Sequence, residues 1–100
     1  MWTLKRLDEE GQPVLFRLKP GTVKTIGRAT RADLILDAAL VSRLHCRLEA
    51  ADDQLLVIDL DSTNGTFVNE ERVRQQATLK SGDTLRIGRV ELSVERVTIN

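Results

Sequence analysis

Apolar and polar residues alternate with a period of two along most of the chain. Successive side chains of a β-strand point to opposite faces, so this alternation indicates strands with one buried face. It predicts strands in the segments WTLKRL, VLFRLK, DLILD, HCRLEA, TLRIG and VELSVERV. No window carries the i, i+3, i+4 spacing of a convincing amphipathic helix.

One segment departs from the alternation. QLLVIDL is almost continuously apolar from Leu55 to Leu60, which predicts a strand covered on both faces. Polar turn signals, namely DEEGQP, KPG, AADDQ, DSTNG and KSGD, separate the apolar runs. Many short strands at regular spacing are typical of a β-sandwich or a β-barrel.

Length and charge narrow the class of protein. The chain of 100 residues fits one domain, and its 41% apolar and 30% charged content suits a globular protein. Lys plus Arg equals Asp plus Glu at 15 each, so no global field attracts nucleic acid or membranes, and we expect neither as a partner. The N-terminal residues lack the apolar core of a signal peptide. The lone Cys46 favours a reducing, cytoplasmic setting.

The segment LVSRLHC places Ser42, Arg43 and His45 within four positions. A serine nucleophile needs a base within hydrogen-bond reach, yet Ser42 and His45 would point to opposite faces of an extended segment. The chain has one His and no Gly-x-Ser-x-Gly turn, so we expect no catalytic residues. One His beside Cys46 makes no metal site by spacing, and we expect neither metal nor cofactor.

Three further motifs have simple structural explanations when each is taken alone. Glycines permit tight turns, an Asn-Gly pair is a hairpin signal, and an arginine can be a solvated surface charge. The motifs are Gly27-Arg28 with Arg31 following, Thr63-Asn64-Gly65, and the segment LKSGDTLRIG.

Taken together, the motifs carry more information. In order they are Gly-Arg, Ser-Arg-x-His, Ser-Thr-Asn-Gly-Thr-x-Val-Asn and Leu-x-x-Gly-Asp-x-x-x-x-Gly. This order resembles the forkhead-associated (FHA) domain family, and its bacterial single-domain members above all, from about Trp2 to Val97. The resemblance implies one domain over 1–100 with a core at about 2–97. It also implies an all-β fold, an eleven-stranded sandwich of two twisted, mostly antiparallel sheets with binding loops at one end.

The resemblance implies recognition of phosphothreonine by Arg28, Ser42 and Arg43. Phosphothreonine carries about −1.5 to −2 charges and three acceptor oxygens at neutral pH. A planar cationic donor, a small hydroxyl and fixed backbone N–H groups suit that ligand. The function implied is a non-catalytic signalling module downstream of a Ser/Thr kinase.

The remaining positions follow from the same resemblance. Thr63 and Asn64 would line the groove for the peptide, while Gly27, His45 and Gly65 would support the site. Two residues stay open. Arg31 either adds positive charge near the pocket or lies at the surface, and Leu40, two positions before Ser42, favours an apolar peptide position.

The partner implied is a phosphothreonine-containing protein or peptide. It could be another protein, the kinase itself or a phosphorylated segment of the parent chain. The alternative is a scaffold or assembly module that docks protein independently of phosphorylation, for which a large exposed apolar patch would be the sign.

Overall fold

A computed structural model of the chain describes residues 1–7 and 13–98. The turn predicted at DEEGQP therefore lies mostly outside the described residues. Those residues form eleven strands and no helix, and eleven is the number that the motif order implies. The strands are β1 (Trp2–Arg6), β2 (Leu15–Leu18), β3 (Val23–Gly27), β4 (Leu34–Ile35), β5 (Cys46–Ala50), β6 (Leu55–Asp59), β7 (Thr66–Val68), β8 (Glu71–Arg72), β9 (Gln76–Leu79), β10 (Thr84–Ile87) and β11 (Val90–Arg96).

The strands form two sheets. One has six strands in the order β2-β1-β11-β10-β7-β8, and the other has five in the order β4-β3-β5-β6-β9. Each neighbouring pair is antiparallel except β3 and β4, which run parallel. The two mostly antiparallel sheets confirm the sandwich that the motif order implies.

The inner faces of the two sheets form the core. Alternate residues are buried: Leu4 on β1, Leu48 on β5 and Leu85 on β10 are each 0% exposed. Burying one leucine side chain of this kind contributes about 1.5–3 kcal/mol. Cys46 belongs to the same cluster, and burial raises the pKa of its thiol well above the ordinary range. Cys46 therefore acts as a small buried hydrophobe.

Strand β6 differs from its prediction. Leu55 and Val57 are fully buried, but Leu56 and Ile58 are half-buried, so a strand covered on both faces is wrong. Leu56 lies on the outer face of the sheet, between Glu49 of β5 and Thr78 of β9. These neighbours cover it only in part, so Leu56 stays half-buried.

Sheet register gathers several loops at one end of the sandwich. Ile26 at the end of β3 pairs with Cys46 at the start of β5, which pairs with Asp59 at the end of β6. At the opposite end, the backbones of Met1 and Val97 bond each other in both directions, at 2.9 and 2.7 Å. No helix in the described part of the chain is long and apolar enough to cross a membrane.

Candidate functional site

Three loops meet at the end where β3, β5 and β6 converge. We name them the Arg28 loop (28–33), the Ser42 loop (36–45) and the Asn64 loop (60–65). Backbone hydrogen bonds connect them: the Arg28 N–H donates to the carbonyl of Ser42 at 3.0 Å, and the Leu60 N–H donates to that of His45 at 3.0 Å. The loops are thus held as one surface.

Gly27 permits the closest of these contacts. A Cβ at this position would lie 1.9 Å from the carbonyl oxygen of Arg43, so no side chain fits. Sequence reasoning assigned Gly27 to a turn that projects Arg28. Its φ lies outside the left-handed region, and the requirement is the close approach of the Ser42 loop.

Arg28 extends along the Ser42 loop. Its Nε donates to the carbonyl of Val41 at 3.2 Å, which fixes the guanidinium beside Ser42 and leaves its terminal N–H groups available. Neither Arg28 nor Arg43 forms an ion pair within residues 1–7 and 13–98, and both side chains are exposed. Two uncompensated positive charges therefore flank Ser42.

Ser42 has each of its polar groups in a defined role. Its Oγ accepts a hydrogen bond from the Thr63 N–H at 3.1 Å, which leaves the hydroxyl hydrogen free to donate. Its own N–H donates to Nδ1 of His45 at 3.0 Å. Within the described chain, the N–H of Arg43 has no acceptor, so it is a backbone donor next to Ser42 that a ligand can use.

His45 is 0% exposed and lies beneath the loops. Because Nδ1 accepts from Ser42, the ring proton is on Nε2, which donates to the carbonyl of Gly65 at 2.9 Å. Burial lowers the pKa of His45, which favours this neutral form. Both ring nitrogens bond backbone groups, so His45 connects the Ser42 and Asn64 loops.

Thr63 and Asn64 are exposed on the rim. The Asn64 side-chain amide donates to the carbonyl of Leu40 at 3.2 Å, which leaves its second N–H and its oxygen without a hydrogen-bond partner among the described residues. Leu40 has φ +69 and its side chain is 42% exposed next to Ser42. Arg31 is exposed on the Arg28 loop and forms no hydrogen bond or ion pair with the residues described.

Asp59 supports the Asn64 loop, and sequence reasoning missed it. Its carboxylate accepts from the hydroxyls of Ser62 at 2.6 Å and Thr66 at 2.7 Å, and the Ser62 oxygen accepts from the Gly65 N–H at 3.0 Å. One carboxylate therefore shapes the turn that carries Asn64. The available signal was a charged residue at the end of an otherwise apolar run.

Two other supports were also missed. Asp33 closes the Arg28 loop by accepting from the N–H and hydroxyl of Thr25, at 2.9 and 3.0 Å, and the backbone bond lowers the pKa of this carboxyl. Gly88 has φ +61, and a Cβ there would lie 2.9 Å from the carbonyl oxygen of Leu40. The β10–β11 turn thus packs against the Ser42 loop.

Known proteins are similar in sequence to this region. The FHA domain profile matches residues 24–88. The oxoglutarate dehydrogenase inhibitor of Corynebacterium diphtheriae is 41% identical over 68 residues, which are 68% of this chain and 47% of that protein. The chain spans about half the length of the curated relatives it matches.

Solved structures share the whole fold. The FHA domain of the CT664 protein from Chlamydia trachomatis has a TM-score of 0.89 and 25% identity, over 97% of this chain and 98% of that one. A structure solved for the analysis of phosphothreonine-dependent FHA domain interactions has a TM-score of 0.83 and 35% identity, over 98% of each chain. The profile match covers well over half of the sequence, and the chain belongs to the FHA domain family.

Proposed function

We propose that the domain binds phosphothreonine-containing peptides or proteins, without catalysis, in signalling downstream of a Ser/Thr kinase. The observation that carries the proposal is the convergence of Arg28, Ser42 and Arg43, whose donors have no acidic partner among the described residues. The family relationship supports it, since a structural neighbour was solved for phosphothreonine-dependent interactions.

The phosphate would accept hydrogen bonds from four donor groups on this surface. These are the Arg28 guanidinium, the Ser42 hydroxyl, and the N–H and guanidinium of Arg43. Hydrogen bonds to a charged group contribute about 1.5–3 kcal/mol each. The dianion suits the two arginines, because neither is neutralised by a carboxylate of the described chain.

Thr63 and Asn64 would contact the backbone of the extended ligand. The second N–H and the oxygen of the Asn64 amide match a peptide group, which offers one acceptor and one donor. The bond from Asn64 to Leu40 holds the amide in this orientation. Leu40 is exposed two positions before Ser42, which supports an apolar ligand residue beside the phosphothreonine.

The hydrogen bonds of His45 support binding rather than hydrolysis. A catalytic base would accept the proton of the Ser42 hydroxyl, but Nδ1 accepts from the Ser42 backbone and Nε2 donates to Gly65. The hydroxyl is left as a donor for a ligand. Signalling kinases work in the cytoplasm, and the buried thiol of Cys46 is compatible with that setting.

The first experiment is binding to a degenerate phosphothreonine peptide library, beside phosphoserine and unphosphorylated libraries. Capture of phosphothreonine peptides alone is the expected result. Arg28→Ala should weaken it at least tenfold, which corresponds to about 1.4 kcal/mol. The melting temperature should fall only slightly, because the side chain is exposed and the substitution removes one hydrogen bond, from Nε to the Val41 carbonyl.

Capture that does not depend on phosphate would favour the scaffold alternative. The place to examine would then be the edge between β2 and β4. There Leu15 and Ile35, 53% and 48% exposed, line an open groove of about 590 Å³. Substituting Ile35 should abolish capture in that case, whereas it should leave phosphopeptide binding intact.

A further inference from the structure

Phe67 lies between two arginines on the outer face of the six-stranded sheet. It pairs with Arg86 of β10 on one side and with Arg72 of β8 on the other. Residues paired across strands share a face. The guanidinium carbon of Arg86 stands 3.9 Å from the centroid of the Phe67 ring. The row Arg86, Phe67 and Arg72 thus crosses the sheet just below the Asn64 loop.

The two arginines differ in what they already contact. Arg86 is half-buried, its Nη1 donates to the carbonyl of Gly88 at 3.0 Å, and its Nε stands 3.6 Å from a carboxylate oxygen of Glu70. Arg72 is exposed and forms no ion pair within residues 1–7 and 13–98. The charge of Arg86 is partly neutralised, whereas that of Arg72 is available.

Arg72 also lies beside the ligand-facing loop. A Cβ built on Gly65 would be 3.3 Å from Nε of Arg72, and Gly65 directly follows Asn64. On the other side of Asn64, the Thr63 N–H bonds the Ser42 hydroxyl oxygen. Asn64 therefore lies between two neighbours of this loop: Ser42, which contacts Thr63, and Arg72, which lies beside Gly65.

The separation suits an extended ligand. Two residues of chain span at most about 7 Å, so the α-carbons of Thr63 and Gly65 are no further apart than that. The reach of an arginine side chain adds a few ångströms. An extended peptide, which rises about 3.3 Å per residue, covers such a distance in about three to five residues.

The space next to Arg72 is open. Glu71, Arg72 and Arg74 line a cavity of about 700 Å³. Glu71 pairs with Val68 and Arg72 with Phe67, so the Glu71 carboxylate and the Arg72 guanidinium start from opposite faces of β8. Arg74 is exposed and forms no ion pair with the residues described. Two of the three lining charges are therefore positive.

We propose that Arg72 is a second anion-binding position for the phosphothreonine ligand. It contacts a carboxylate or a second phosphate on a residue a few positions from the phosphothreonine, on the flank of the peptide that crosses Asn64. The proposal rests on the proposed function. It assigns this protein a preference for ligands with an acidic or doubly phosphorylated sequence.

The test compares phosphothreonine peptides that differ at one position. A peptide with neutral flanks is the reference, and Asp replaces one flanking residue at a time. Fluorescence polarisation gives each Kd. At low salt we expect one flanking position where Asp strengthens binding about three- to fivefold, the size of a surface ion pair. A peptide with phosphoserine at that position distinguishes a carboxylate from a second phosphate as the group that Arg72 binds. The second phosphate should lower Kd more than Asp does.

Variants of Arg72 decide the assignment. In Arg72→Gln, the ratio between the acidic and the neutral peptide should fall to about one, the ratio without an ion pair. In Arg72→Glu, the preference should reverse to a Lys at that position. Arg17→Gln is the matched control, because Arg17 is exposed on β2, at the far edge of the same sheet. That variant should keep the wild-type ratio.

Two results would overturn the proposal while the proposed function stands. One is tight binding of the neutral phosphothreonine peptide with no gain from Asp or phosphoserine at any position. The other is a gain that Arg72→Gln retains. Failure of the wild-type domain to bind any phosphothreonine peptide would overturn both proposals.

Discussion

The interior of the sandwich and the loops at its end are stabilised by different means. In the interior, many apolar side chains such as Leu48 and Leu85 each contribute a similar increment of burial. In the loops, single polar groups hold the chain: His45 joins two loops, and Asp59 shapes the turn that carries Asn64. A substitution in the interior lowers the free energy of unfolding in proportion to the apolar area that is no longer buried. In the loops, one polar side chain makes each connection, so its loss breaks the connection.

Stability and binding should therefore respond separately to mutation. A core substitution lowers the free energy of unfolding but leaves the loop geometry of the folded molecules intact. A loop substitution costs less stability and more affinity. The four predictions below test this separation, from the largest expected effect to the smallest.

Gly27→Ala should have the largest effect, because Gly27 ends a core strand, β3, and lies directly against the Ser42 loop. The new Cβ would lie 1.9 Å from the Arg43 carbonyl oxygen, so backbone must move. We expect a loss of at least about 3 kcal/mol, together with loss of phosphopeptide binding. Chemical denaturation and binding measurements would show both. Gly21→Ala is the control. A Cβ built on Gly21 has no heavy atom within 4 Å, so this substitution should lower the free energy of unfolding only by the roughly 1–2 kcal/mol that a side chain costs at a positive φ.

Leu48→Ala tests the interior alone. Leu48 is 0% exposed at the centre of β5, and its truncation should cost about 2–5 kcal/mol. Each kcal/mol lowers the melting temperature of a domain of this size by about 4–8 °C. Measured well below its melting temperature, the variant should bind phosphopeptide with wild-type Kd. A weakened Kd in the folded variant would mean that core and loops are coupled.

Asp59→Asn tests the loops alone. The amide oxygen can still accept from the Ser62 and Thr66 hydroxyls, but the NH2 group that replaces Oδ2 cannot accept from the Ser62 N–H, which the carboxylate does at 3.2 Å, so about 1–3 kcal/mol of stability should be lost. Affinity should fall as well, because the turn that presents Asn64 loosens. Titration calorimetry at a temperature where the variant is folded measures this. Leu48→Ala should keep the wild-type affinity, whereas Asp59→Asn should not. Unchanged affinity in Asp59→Asn would show that Asp59 contributes to folding stability alone.

Acid should weaken both properties modestly. His45 has a pKa lowered by burial from an ordinary value of 6.5, so the unfolded chain binds the proton more readily. Its contribution to stability is complete above pH 6.5 and declines as the pH falls toward the lower pKa of the folded state. His45→Asn, which cannot titrate, should remove this slope from the unfolding free energy, even though the variant is less stable. A slope that persists would point to other groups.

Ligand binding should decline in the same range for a second reason. The phosphate takes up its second proton near pH 6, and the monoanion binds two arginines less well than the dianion. This decline should remain in His45→Asn. A binding constant that is flat with pH would contradict recognition of the dianion by Arg28 and Arg43.

Much of this architecture can be predicted from the sequence. The apolar pattern located seven of the eleven strands, because side chains on neighbouring positions point to opposite faces, but it did not identify β3, β7, β8 or β9. It failed at β6, because the half-burial of Leu56 depends on Glu49 and Thr78 in neighbouring strands. The motif order brought Arg28, Ser42 and Asn64 to attention, and the structure places these residues on adjacent loops.

What was missed depends on pairing between distant segments. Asp59 looked like the end of an apolar run, since its partners Ser62 and Thr66 are identified only by the conformation of the turn. Gly27 looked like a turn residue because the approach of Arg43 cannot be read along the chain. Arg72 is part of no motif in the sequence, and only the β7–β8 register shows that it lies beside Phe67.

The mutual bonds of Met1 and Val97 place these two residues side by side, at the end of the sandwich away from the loops. A segment that precedes Met1 or follows Val97 therefore starts from the side opposite the three loops. Strand β11 alone spans seven residues, or about 24 Å at 3.4 Å per residue. A phosphorylated segment attached there would need at least about seven extended residues to reach back along the sandwich to Ser42. With a shorter tether, its effective concentration at Ser42 would be close to zero. Tether length would then set how strongly such a segment competes with an independent partner.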